Sequence, residues 1–569
     1  RHGKVQLALF PLPLDLPKRE PGKKLPAFES ATGFAQAGWQ DFLYARYSDA
    51  EKHFRKALDA DPHSVSARVG LAYLRLDSDP EAAGREAETA VESAPDSGLA
   101  RYVRAVAADR MKDRTTALDE AWKATLDPAT AVPGRALLAK LAGPAEVVSA
   151  LTAPGPWQSD PQCRNRLAFA CLKLGDTSKA IALARLNLAV DPLDVLARSL
   201  LWLAGADADK PSLDELLEGN PHTLLDLIAA YADLIQDDWE PLHRILEHFW
   251  AKADAPPHPM AARWAQRISW RYPVSREFAA KITRTLDGLP AREVFPHRIQ
   301  TVEILRDTLE QKPQDGGTTL CLGHLLFHLG RHNEGREMWK KAVELGAEPA
   351  IAYRALGMAA RTLDRDLPAA RHWLEKGANA DPRDAIVARD LANVLFALAD
   401  KAGAEVDRQA LTTQARDRLK TAFDQGRGRS DFVALLARAH TRLGDHQATA
   451  RLLDSVRITI WEGAHEAHDL FEEAHLTLGR QHMEAGRPAE ALAEFNRALE
   501  YPENLATGKL ETTREAHIHY LRGSALAALG RKAEAAKAWR QAAEEPASRD
   551  AKKEEARKKA KEALERSEE

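Results

Sequence analysis

Cysteine is almost missing from this chain of 569 residues: Cys163, Cys171 and Cys321 are all there are. Three scattered thiols make neither a disulfide framework nor a CxxC zinc site, so they read as buried thiols. No window comes near the run of about eighteen consecutive apolar residues that a membrane-spanning helix needs. The opening also lacks the basic-then-apolar layout of a signal peptide. Neither sign of charge dominates, because 80 basic residues stand against 84 acidic ones for a net charge of -4. Without a basic excess, nucleic acid is not an expected partner. Phosphate-cradling and nucleophile-elbow strings (GxGxxG, GxxxxGK[ST], GxSxG) are absent from any strand-turn-helix setting. Adjacent carboxylates such as Asp237 and Asp238, or Glu472 and Glu473, diverge by about 100 degrees on a helix and cannot share a substrate. The expectation is a cytoplasmic chain with no catalytic residues, no cofactor and no metal.

What the sequence does hold is a period. Ala50, Phe54, Ala57 and Pro62 are spaced by four, three and five, which puts two small residues and one large one on a single helix face before a proline stop. The spacing returns at Ala83, Ala87, Ala90 and Pro95, at Ala180, Ala184, Asn187 and Pro192, and at Ala370, Leu374, Gly377 and Pro382. Sharper copies include the preceding helix, with Leu322, Gly323, Gly330, Gly335, Trp339 and Ala342 in LGHLLFHLGRHNEGREMWKKA. Leu478, Gly479, Gly486, Ala491, Phe495 and Ala498 repeat them, and so do Gly523, Gly530, Ala535, Trp539 and Ala542. Small residues let paired helices approach closely, and the large one fills the gap between them.

This pattern resembles the tetratricopeptide repeat, a helix-turn-helix unit of about 34 residues that must stack on copies of itself to bury its apolar face. The fold class it implies is an all-α superhelix, a solenoid of antiparallel helix pairs. A proline-rich linker or remnant of an upstream domain is expected over 1–30, N-terminal repeats over 31–200 and irregular helical repeats over 201–300. C-terminal repeats follow over 301–547 and a charged helical cap over 548–569. A narrower likeness lies in Phe295 and Pro296, in Trp461 to Gly463, and in Tyr501, Pro502, Asn504, Leu505 and Gly508. These segments are similar to the C-terminal repeat region of bacterial proteins that carry an N-terminal domain of unknown function, a mutarotase-like β-sandwich. That resemblance implies a connection with carbohydrate metabolism and no established reaction.

Two sets of candidate residues follow. In a tetratricopeptide unit the second, fifth, ninth, twelfth and thirteenth positions face the concave groove. By that register these include Trp39, Phe42, His324, Phe327, His328, Glu473, Arg480, Met483, His517 and Tyr520. Rings and charges in such a row suit an extended protein segment or a partner domain. The second set is a loop pocket of Trp461, Glu462, Tyr501 and Asn504, flat faces beside polar groups, of the kind that a sugar or a peptide needs. Its carbohydrate reading makes this chain the helical half of a site completed by an upstream β-sandwich of the same precursor.

One stretch imitates a metal site. His465, His468, Glu472 and His475 are spaced by three, four and three, a single stripe on a helix. The repeat register places His475 and His482 toward the helix-pair core, which makes His475 a packing residue, and HEAH is not the HExxH of a zinc enzyme.

Overall fold

The structure, a computed structural model, describes residues 30–568 apart from 45, 207–211, 220, 235–238, 253–258, 271, 273–274, 288–293, 295, 297, 300, 460–464 and 510–513. Among these residues every regular element is a helix and none is a strand. The chain is an all-α array of antiparallel helix pairs, divided into two compact units, Arg1–Lys341 and Ala342–Glu569.

Close approach across glycine sets each pair. The helices Ala31–Leu43 and Tyr47–Ala60 meet where a Cβ on Gly38 would lie 2.6 Å from the Phe54 ring. A Cβ on Gly70, in the next helix Val65–Arg75, would run into the same ring. Phe54 is thus fully buried among three helices, and the small residues Ala50 and Ala57 flank it without exposure. Gly323 stands in the same relation to Trp339, at 2.6 Å, and Gly523 to Trp539, at 2.5 Å. Ala83, Ala87 and Ala90 are as completely buried as Ala50, so the four-three spacing marks the face that packs.

Turn chemistry is equally repetitive. After several helix pairs an aspartate folds the chain back, as where Asp191 accepts from the Leu193 amide (3.0 Å) and Asp381 from that of Arg383 (3.1 Å). A second aspartate then caps the next helix. Asp194 takes the Leu196 and Ala197 amides at 3.1 and 3.0 Å, and Asp384 those of Ile386 and Val387 at 2.8 and 3.0 Å. Within several pairs the first helix ends in a left-handed glycine, at Gly175, Gly330, Gly444, Gly486 and Gly530, with φ from 69 to 84 degrees.

In the stretch that loses the motif, indole rings replace small-residue contacts. Trp239 lies 5.1 Å from Trp264, and Trp250 meets Phe278 edge-on at 5.3 Å, while Trp270 stays 42% exposed. At the far end, the helix Ala551–Glu568 lays Ala560 against Ala516 and Ala542 of the last pair.

Candidate binding surface

Three members of the stripe that imitates a metal site go to three different sets of partners, and the fourth is exposed. His468 is buried, and its ring stacks on Tyr501 at 4.1 Å and 14 degrees, with Nε2 3.0 Å from the Glu500 carbonyl. His475 is 4% exposed and sends Nδ1 to Glu494 at 2.6 Å. Glu472 accepts from His517 Nε2 at 2.8 Å, across to the helix Ala516–Ala528. Burial pushes the Glu472 carboxyl up, but the His517 hydrogen bond and its charge hold it below the usual glutamate value. His465 is exposed at the helix start. Each ring or carboxylate is spent on a different neighbour, so the helical stripe does not converge.

The expected groove residues fall into three environments. Trp39 corrects the register reading: it is 2% exposed, boxed in by Phe54 at 5.3 Å and Tyr73 at 5.7 Å, and its Nε1 donates to Ser66. It is core because the first helix of the next pair supplies Tyr73 to cover it. Phe42, His324 and Phe327 are half-buried; Phe327 rests on Trp339 at 4.8 Å, and Trp339 Nε1 lies 3.2 Å from His324 Nδ1. His328 is exposed. In the C-terminal unit Glu473 and Arg480 are exposed, and Met483, His517 and Tyr520 are half-buried along two neighbouring first helices. These five are the part of the set that the structure brings onto adjacent repeats.

Sequence reasoning passed over the arginines on the same register. Arg354 donates to Asp390 at 2.6 Å, and Arg389 holds the other oxygen of Asp390 and reaches Asp431 at 2.7 Å. Asp390 is only 2% exposed, so its charge is neutralised by arginines from two successive first helices. Farther along, Arg438 pairs with Glu466 and Arg442 with Asp400 at 2.8 Å, and both guanidinium groups sit over the Phe396 ring, at 6.0 and 4.9 Å. Burial raises the Asp431 carboxyl, but the Arg389 hydrogen bond and charge, with the charge of Arg429 and the Phe432 amide, together hold it below its ordinary value. These pairs rivet repeat to repeat and leave little uncompensated charge. A signal was available, since Arg354 and Arg389 are 35 residues apart, close to one repeat.

Of the loop pocket, Trp461 and Glu462 lie outside the described residues. Asn504 is a clamp: both its amide hydrogens go to carbonyls, Leu453 and Val456, each at 2.8 Å, and its own carbonyl accepts from the Ile458 amide at 2.7 Å. Leu505 beside it is fully buried among Val433, Leu453 and Phe471. The Tyr501–Leu505 segment therefore plugs a gap between helix pairs, with Asn504 turned inward and Tyr501 stacked on His468. Tyr501 also donates to the buried Glu515 at 3.3 Å, which accepts from Lys509 at 2.6 Å.

The tetratricopeptide repeat family matches residues 476–551, which hold the pairs built on Gly479 and Gly523. Among solved structures, yeast Tom70 is 14% identical over 88% of this chain and 96% of its own, with a TM-score of 0.24. The MamA protein is 19% identical over 37% of this chain and 95% of its own (TM-score 0.24). A thermophilic repeat protein of Thermus thermophilus is 20% identical over 38% and 98% (TM-score 0.21). The family match covers residues 476–551, and helix pairs of like construction precede them.

Proposed function

We propose that this chain is a non-catalytic scaffold that binds an extended protein segment along the first-helix face of its C-terminal repeats. The observation that carries the reading is the contrast on that face. Arg354, Arg389, Arg438 and Arg442 are consumed in ion pairs, whereas Glu473 and Arg480 remain exposed beside the half-buried Met483 and Tyr520. A rigid, charge-compensated wall with one mixed patch of ring, thioether and charge suits a few anchors rather than a broad electrostatic grip. The upstream β-sandwich and the carbohydrate pocket draw no support from Asn504, whose amide is spent inward.

A test that presumes no partner is selection of a random peptide display library on the full chain. Arg480→Ala and Tyr520→Ala should each weaken the selected peptides about tenfold or more, as anchors worth about 1–2 kcal/mol do. Lys537→Ala, at an exposed position of the second helix, should change nothing. Peptides whose affinity ignores Arg480 and Tyr520 alike would sink the groove assignment.

A further inference from the structure

In an array of repeats each unit touches its sequence neighbours, so contacts between distant repeats mean that the array has come round on itself. The N-terminal unit has two of them. A Cβ placed on Gly330 would lie 3.1 Å from Ser78 Cβ, although 252 residues separate the two positions (330 less 78). Lys112 Nζ pairs with Glu303, 191 residues away (303 less 112). Ser78, Lys112 and Gly330 all sit in turns that follow a first helix: Val65–Arg75, Gly98–Arg110 and Gly316–His328. Glu303 lies in the first turn of the helix Thr301–Gln311.

The backbone at Lys112 is a second observation. It is the residue after the C-cap Met111 and before the N-cap Asp113. At the same place, glycine stands in the turns at 175, 330, 444, 486 and 530. Lys112 takes the left-handed conformation there with φ 65 degrees, one that a side chain disfavours. The turn thus tolerates strain to carry an ammonium group, and that group is the one that meets Glu303. Arg365, just before the N-cap Asp366, takes the same conformation with φ 56 degrees, so two turns of the series keep this strain, and at Lys112 the side chain it retains is the one that reaches a distant repeat.

We propose that Lys112 and Glu303, together with the Ser78–Gly330 approach, form a salt-sensitive latch that closes the N-terminal array on itself. Lys112 and Glu303 side chains are 73% and 50% exposed, so the pair is weak and weakens further as salt rises. A weak pair is what a reversible closure needs.

Zero-length carbodiimide coupling of the full chain tests the contact directly, because it forms an amide between Lys112 Nζ and the Glu303 carboxyl with loss of water to the reagent. Peptide mass spectrometry of the monomer fraction should find that link at low salt. Its yield should fall several-fold at high salt and in Glu303→Gln. Lys112→Gly should lose the link yet melt no lower than the parent, since glycine relieves the turn, which separates a latch from a structural prop. The hydrodynamic radius should grow in Lys112→Glu and return in the charge-swapped Lys112→Glu/Glu303→Lys chain. No link at low salt, a link found only between two chains, or a Lys112→Glu radius equal to the parent's would overturn the latch.

Discussion

Gly479 shows how much a single missing methyl carries in this fold. A Cβ there would run into the Phe495 ring, which is itself fully buried. Overpacking a fixed core costs about 1–3 kcal/mol, and alanine's better helix propensity returns only about 0.5–1 kcal/mol. Gly479→Ala should therefore destabilise its repeat by about 1–2 kcal/mol, read as faster amide exchange in His465–Glu484 and Pro488–Ala498. Trimming the ring in Gly479→Ala/Phe495→Leu should restore part of the loss, and a double variant worse than the sum of the singles would refute the ring as the cause. Spacing made this residue legible, because close approach admits nothing larger than glycine. Trp39 was not legible in the same way: its register position is a groove position, but Tyr73 of Val65–Arg75, the first helix of the next pair, covers it, and only the stacked pairs show that.

Elements are held by loops as much as by pairs, and Asn504 is the clearest case. Removing its amide in Asn504→Ala leaves the Leu453 and Val456 carbonyls without their donor, each buried unsatisfied group costing about 1–3 kcal/mol. The expected result is faster amide exchange at Ile458 and around Leu505, with the helix pairs on either side little changed. Exchange unaltered at Ile458 would mean that the clamp is idle. Titration acts at this scale too. Burial lowers the pKa of His440, with Asp445 pulling it up and Lys420 and Arg416 pushing it down. His519 is lowered by burial as well, against Glu515 and Glu545 and with Arg522 and Lys509. Both rings stay neutral in the fold at a pH where the unfolded chain has begun to bind a proton, so the unfolded state takes up more protons below about pH 6.5 and stability falls with pH there. The melting temperature should drop as pH falls through that value. His440→Gln and His519→Gln together should flatten the drop; a profile as steep as the parent's would place the cause elsewhere.

The whole molecule is legible from its sequence to the extent that it is periodic. Small-residue spacing and aspartate turns foretell pairs, because both act within one repeat. The repeat-length spacing of Arg354 and Arg389 hints at their shared hold on Asp390, whereas the closure at Lys112 joins residues that no pattern links, and it needed the assembled array. One property of the whole follows from its being an array: stability is a sum over repeats and their interfaces, with the ends depending on their caps. The helix Ala551–Glu568 covers one face of the last pair, where Ala516 and Ala542 are buried and Tyr520 and Trp539 lie against it. Deleting 551–569 removes that cover, and with it the Lys553 contact to the Arg514 carbonyl. The loss should be graded rather than global. Amide exchange should accelerate in Ala516–Ala528 and Lys532–Glu544, less in Pro488–Ala498, and not at all in Ala385–Lys401, where the Arg389 pairs brace the interior. Equal acceleration everywhere would show that the C-terminal repeats unfold as one block, and the sum over interfaces would have to be abandoned for this chain.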